Sequence, residues 1–216
     1  MIIDSQFQNF MWSTHTPNDG SNIGGVMPST YGIIQAIPTS PNGILVFIGG
    51  NAYSDFETYI VRPILPNTGN LNLSFNLNTD SNTPTVAQAI ETDSIITING
   101  WTYNCSLQLN YEENGEIQVA SASGGWVNTG IIVGKLPFGV DNTYSIQYYI
   151  NETTKESSIV SLTLNRIEYP IPLSLQNIAG TQRGWTDGAI FQVQLDIGAN
   201  AGAYSLLVSS ANYTWS

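Results

Sequence analysis

The sequence predicts an all-β protein. Short alternating apolar runs recur at intervals of about 10 residues, and no long apolar pattern of helical period appears. Gly and Pro, 20 and 10 residues respectively, are spread evenly along the chain. Together these are the marks of a sandwich or a barrel. Residues 1–216 are expected to form a single domain, since β-sandwiches commonly reach this size as one unit and can bury a large core. No linker, charge block or internal repeat divides the chain.

The elements follow in order. Gln6–Ser13 reads as a strand, followed by the loop THTPNDGSNIGG. Tyr31–Ile37 is a strand that Pro38 ends, and Asn42-Gly43 is a hairpin signal before the apolar strand Ile44–Ile48. Phe56–Ile64 and Leu71–Asn78 come next. In the latter, Leu71, Leu73, Phe75 and Leu77 alternate with Asn72, Ser74 and Asn76, the pattern of a half-buried strand. The stretch Thr85–Gly130 reads as three strands. Val86–Ile98 is broken near Ser94, turns at Asn99-Gly100 into Thr102–Tyr111, then turns at EENGE into Ile117–Ala120. Asn142–Asn151 and Ser158–Ile167 make a hairpin around ETTKE, with Tyr144, Ile146, Tyr148 and Ile150 on one face. A short helix is expected at Ser174–Ala179, after Pro170 and Pro172. Ile190–Ile197, Tyr204–Val208 and Asn212–Trp215 close the chain.

Composition excludes several partners. The formal charge is −11, with Lys and Arg together only 5. A phosphate backbone or an anionic membrane surface would repel such a chain, so nucleic acid and membrane are excluded as partners. Acidic polysaccharides are poor candidates on the same ground. Charged residues are only 10% of the chain, well below the usual quarter. Asn, Thr, Ser and Gln supply the polarity instead, which suits hydroxyl-rich ligands such as neutral oligosaccharides or polysaccharides, and also suits self-association. With Cys105 alone there is no internal disulfide, and Cys105 reads as a small core residue. MIIDSQFQNF has neither the basic region nor the apolar run of a signal peptide. The expected location is therefore cytosolic, or secreted or surface-bound if a leader has been removed.

One order of motifs carries a resemblance. VAQAIETD leads into TYNCSLQLNY, then GGWVNTG, then the pair TYSIQYYIN and SIVSLTLN, then GAIFQVQLD and SANYTW. That order resembles the concanavalin A-like lectin/glucanase superfamily, in which a central acidic strand is followed by hairpins and a late strand completes the concave sheet. It covers the chain from Leu71 to the end, whereas residues 1–70 match only as strands. The resemblance implies an antiparallel two-sheet β-sandwich, a concanavalin A-like jelly roll, with a concave sheet that binds oligosaccharides in many members. Lectins, glycan-binding modules, glycoside hydrolases and polysaccharide lyases all share it, and fold alone does not choose among them.

Several residues could carry chemistry. Glu91 and Asp93 share a face of one strand, about 6.6 Å apart along it. Their carboxylates could approach the roughly 5–5.5 Å of a retaining glycosidase. The glucanases that the motif resembles carry three acids at alternating positions, and here the third position is Ile95. Glu91 and Asp93 therefore read first as ligand or structural contacts, and as a catalytic pair only in the alternative of a glycoside hydrolase. Gln88, Gln108, Gln147, Gln192 and Gln194 carry amides that can donate to and accept from sugar hydroxyls, or bond one another. Gln192, Gln194 and Asp196 share one face by alternation. Trp101, Trp126 and Trp185 each follow Gly at a turn, where an indole can stack on a sugar ring or plug the sandwich edge. Trp12 and Trp215, in terminal strands, read as packing residues.

No zinc site can be built from His15 and Cys105 alone. The loops holding Asp19 and Asp80 are oxygen-rich enough for calcium, although their spacing matches no defined loop and such turns are commonly only turns. The leading expectation is a lectin-like carbohydrate-binding protein whose site combines Glu91, Asp93, Gln108, Gln192, Gln194 and Trp185. A hydrolase using Glu91 and Asp93 is one alternative, and a self-assembling surface, fibre or virion component is the other.

Overall fold

The structure, a computed structural model, describes residues 12–19, 25–37, 40–62, 69–176 and 178–215. It is an antiparallel two-sheet sandwich. The first sheet contains β1 (Ser13–His15), β4 (Asp55–Arg62), β6 (Ala87–Ile98), β7 (Trp101–Asn110), β8 (Glu116–Ala120), β9 (Trp126–Ile132) and β15 (Gly188–Ile197), ordered β1-β4-β15-β6-β7-β8-β9. The short strand β14 (Thr181–Gln182) adds to the start of β7. The second sheet contains β2 (Thr30–Ile37), β3 (Ser40–Gly50), β5 (Gly69–Thr79), β10 (Asn142–Asn151), β11 (Glu156–Leu164), β12 (Ile167–Pro170) and β16 (Gly202–Trp215), ordered β12-β11-β10-β5-β16-β3-β2. A two-residue strand, β13 (Ile178–Ala179), pairs with β11.

Period-2 alternation places the core. Leu71, Leu73, Phe75 and Leu77 of β5 and Tyr144, Ile146, Tyr148 and Ile150 of β10 are buried against Phe191, Val193 and Leu195 of β15 and Tyr103, Cys105, Leu107 and Leu109 of β7. Fully burying each large side chain stabilises the fold by about 1.5–3 kcal/mol. The Phe75 ring sits 5.0 Å from Phe191 of the opposite sheet and 4.7 Å from Tyr144 beside it. Two tyrosine hydroxyls of β16 tie the sheets together: Tyr204 donates to the Asp196 carbonyl at 3.1 Å, and Tyr213 makes the second tie. The Tyr213 hydroxyl lies 2.8 Å from the Ser94 hydroxyl and donates to the Ile190 carbonyl.

The Tyr213 tie corrects one expectation. Ser94 does not break its strand, because β6 runs unbroken and turns Ser94 inward to meet Tyr213. Other expectations also shift. Thr85–Gly130 holds a fourth strand, β9, because Trp126 and the residues after it pair with β8. Ile37 pairs with Ser40, so Asn42-Gly43 lies inside β3, where Gly43 pairs with Ser209 of β16. In place of a helix at Ser174–Ala179 there is a 3-10 turn, Leu173–Leu175, and then β13, which β11 draws into the sheet. Among the described residues one α-helical turn, α1 (Thr83–Val86), sits in the loop after Asp80, with Pro at its first turn. The Gln6–Ser13 strand lies outside the described residues except at its end, where Ser13 begins β1. The Asn99-Gly100 hairpin holds, and both residues have the positive φ (52° and 75°) that its turn requires.

Candidate functional site

The outer face of the first sheet is built from the residues that alternate with the core. On β6 these are Glu91, Asp93, Ile95 and Thr97, and on β15 they are Ile190, Gln192, Gln194 and Asp196. β4 adds Asp55, Glu57, Tyr59 and Val61. β7 adds Asn104, Ser106, Gln108 and Asn110. Strand register aligns them into rows. One row runs His15, Glu57, Gln194, Glu91, Gln108, Gln118, Asn128 across the sheet. The next runs Tyr59, Gln192, Asp93, Ser106.

These rows bond to themselves. Gln192 Nε2 donates to Asp93 Oδ2, and Gln194 Nε2 donates to Asp196 Oδ1 at 2.8 Å. Gln108 Nε2 and Asn110 Nδ2 both donate to Gln118 Oε1, and Gln118 Nε2 donates to Asn128 Oδ1. Asn128 Nδ2 passes the chain to Glu116 at 3.0 Å. Asp93, Gln108, Gln118 and Asp196 are buried even though they stand on the outer side of the sheet.

Burial sets the protonation. Glu57 is pushed up to about 7 by burial, helped by the nearby charges of Asp93 and Asp19. Burial likewise lifts Asp93 to about 6, against hydrogen bonds from Ser106, Glu91 and Gln192 that favour its charge. Glu91 is raised well above the usual carboxyl range by burial and then by Asp93. The two share a hydrogen bond, which favours a protonated carboxyl within the pair. Asp196, directly opposite Asp55, repeats the arrangement. Burial and the Asp55 charge raise it strongly, while Asp55 is raised to about 6 by burial.

One end of this face is different. Beyond Asp93, β6 presents Ile95, and beside it stands Trp185, 46% exposed. The loop carrying Trp185 is anchored on the β6–β7 turn, where the amides of Arg183 and Gly184 donate to the Gly100 carbonyl. The Arg183 guanidinium lies 5.0 Å from the Trp185 ring centroid. Two clefts flank the indole. One, of about 230 Å³, is lined by Val61, Ile95, Ile190, Thr97 and Thr186. The other, of about 140 Å³, is lined by Ile95, Thr102, Asn104, Thr181 and Arg183. Ile95 and Trp185 belong to both.

Glu91, Asp93, Gln108, Gln192 and Gln194 thus share the face expected of them, and Trp185 stands at its end. Gln147 does not join them, because it lies on β10 in the second sheet. Gln88 lies at the irregular start of β6, where the register with β15 shifts between Ala87 and Ala89. Trp215 is buried, and Trp12 packs edge-on against Phe191 at 5.9 Å. Trp101 is half-buried under Lys155 and Trp126 is partly exposed. Sequence reasoning passed over Glu57, Gln118 and Asn128. The alternation of Phe56, Thr58 and Ile60 with Asp55, Glu57 and Tyr59 was the available signal for Glu57.

The oxygen-rich loops hold themselves. Asp80 Oδ1 accepts from the Asn82 and Thr83 amides and the Thr83 hydroxyl, and its Oδ2 accepts from the Ser205 amide and hydroxyl. Asp19 Oδ2 takes the Thr16 amide and pairs with His15 at 3.2 Å. Among the described residues no group of three or more His, Cys, Asp and Glu is arranged to hold a metal ion. Among them too, no helix is long and apolar enough to cross a membrane.

No protein-family model matches the sequence, and no curated protein matches it. Solved structures do match in fold. An endo-1,3-beta-glucanase from Streptomyces sioyaensis aligns with a TM-score of 0.52 at 11% identity, over 94% of this chain and 88% of its own. A legume lectin-like domain from Entamoeba histolytica aligns at 0.47 and 12% identity, over 86% of this chain and 90% of its own. A structure of carbohydrate-binding modules from the beta-sandwich superfamily aligns at 0.47 and 11% identity, over 94% of this chain. The chain spans 57% of the length of that last structure. At such identities the likeness is one of fold, and the fold is the concanavalin A-like jelly roll.

Proposed function

We propose that this protein binds neutral oligosaccharide or polysaccharide without cleaving it, on the outer face of the first sheet at its Trp185 end. The observation carrying this reading is the half-exposed Trp185 indole between two clefts that share Ile95. A sugar ring can lay its C–H face on the indole and turn its hydroxyls to Asn104, Thr102 and Thr186. Glu91, Asp93, Gln108, Gln192 and Gln194 form the polar floor leading away from that end. The net charge of −11 disfavours anionic sugars.

Hydrolysis is the weaker reading. A retaining enzyme needs its carboxyls about 5–5.5 Å apart with the glycosidic bond between them. Glu91 and Asp93 are instead hydrogen-bonded to each other, and Asp93 is 2% exposed. The test is calorimetric titration with neutral tetrasaccharides (cello-, laminari-, xylo- and manno-), paired with an assay for released reducing ends. At least one should bind, Trp185→Ala should weaken it tenfold or more, and no product should form. Folded protein that binds none of them, or product formation that Glu91→Gln abolishes, overturns the proposal.

A further inference from the structure

The second sheet carries a polar hollow of its own, on the opposite side of the sandwich. It measures about 400 Å³ and is lined by Asn72, Ser145, Gln147, Ser161, Thr163 and Glu168. These residues come from the adjacent strands β5, β10, β11 and β12. Register puts Asn72 opposite Gln147 and Gln147 opposite Ser161, with Ser145, Thr163 and Glu168 in the next row. At strand spacing the hollow is about 14 Å across, long enough for a chain of linked rings.

Four of its six lining side chains are uncommitted. Ser145 Oγ donates to Asn72 Oδ1 at 2.7 Å. The side chains of Gln147, Ser161, Thr163 and Glu168 make no hydrogen bond among the described residues. An amide that both donates and accepts, two hydroxyls and a carboxylate at the edge strand can answer hydroxyl groups in either sense. Next to them stands an aromatic. Tyr149 follows Gln147 by two residues on β10, so it points to the same side, and it is 43% exposed. The lining offers no cation to a sulfate or phosphate, and the single carboxylate, Glu168, is too little to attract a polycation. The volume falls within the range of small-molecule sites.

We propose that this hollow is a second binding site for a neutral, hydroxyl-rich chain, a short oligosaccharide that stacks on Tyr149 and bonds Gln147, Ser161 and Thr163. It is independent of the Trp185 clefts. The full chain carrying Trp185→Ala, which weakens the first site, is titrated with the same neutral tetrasaccharides, and then again with Tyr149→Ala or Gln147→Ala added. Backbone amide NMR shifts locate any binding. The expected result is residual binding of at least one tetrasaccharide, with shifts on β10 and β11, weakened tenfold or more by either added substitution. Circular dichroism of each variant should match the parent, since all three side chains are on the surface. The proposal is overturned if Trp185→Ala binds no tetrasaccharide, or if residual binding is indifferent to both added substitutions. It is also overturned if sedimentation shows a dimer that Tyr149→Ala dissociates, which would make a second copy of the chain the occupant.

Discussion

The two outer faces of this sandwich are built from the same alternation and differ in what their polar groups do. On the first sheet, amides and carboxyls bond one another in rows and are buried by their neighbours. On the second, Gln147, Ser161 and Thr163 stand over an open hollow with no partners among the described residues. A polar strand face is therefore not in itself a binding face. A polar row that satisfies itself acts as structure, and recognition falls to places where satisfaction stops. On the first sheet that place is Ile95 and Trp185, and on the second it is the hollow.

The largest effect should come from pH. Glu57 is raised from an ordinary 4.5 to about 7, and Asp55 and Asp93 from 3.8 to about 6. A carboxyl whose folded value is raised favours the folded state in its protonated form. Its contribution is complete below the unfolded value and is lost as pH rises through the folded one. The thermal midpoint should therefore fall between about pH 4 and pH 7, as these groups are forced to ionise. The raised Glu57 alone accounts for up to about 3 kcal/mol of this. Calorimetric melts across that range check the slope, and Glu57→Gln should flatten it. A midpoint that rises steadily with pH would contradict the protonated row.

Next in size is a cut through the amide row. Gln118→Ala removes the acceptor of Gln108 and Asn110 and the donor to Asn128. Leaving the buried Gln108 amide unpaired should cost about 1–3 kcal/mol in urea unfolding. The smallest effect is the counterpart on the second sheet. Gln147→Ala breaks no bond among the described residues and should change stability by less than about 0.5 kcal/mol. Equal costs for the two substitutions would erase the distinction between the faces.

The sequence made much of the fold legible, because side-chain alternation on a strand is a local property. Leu71 to Leu77 and Phe191 to Leu195 face inward as their spacing dictates. It also brought Glu91, Asp93, Gln192 and Gln194 to one face. What stayed hidden depends on which strand lies beside which. Gln147 and Gln108 look alike in sequence, and only pairing assigns them to opposite sheets. Ser94 looks like a strand break until Tyr213, far along the chain, is placed across the core from it. Spacing alone placed Glu91 and Asp93 on one face but could not show that they would bond each other and share a proton.

The central claim is that ligand meets Trp185 while Glu91 and Asp93 stay paired beneath. A crystal structure with a bound neutral tetrasaccharide tests it most directly. The account predicts a sugar ring stacked on Trp185 over Ile95, with the Glu91–Asp93 hydrogen bond intact. A glycosidic bond seated between Glu91 and Asp93, their carboxyls parted to about 5–5.5 Å, would contradict it.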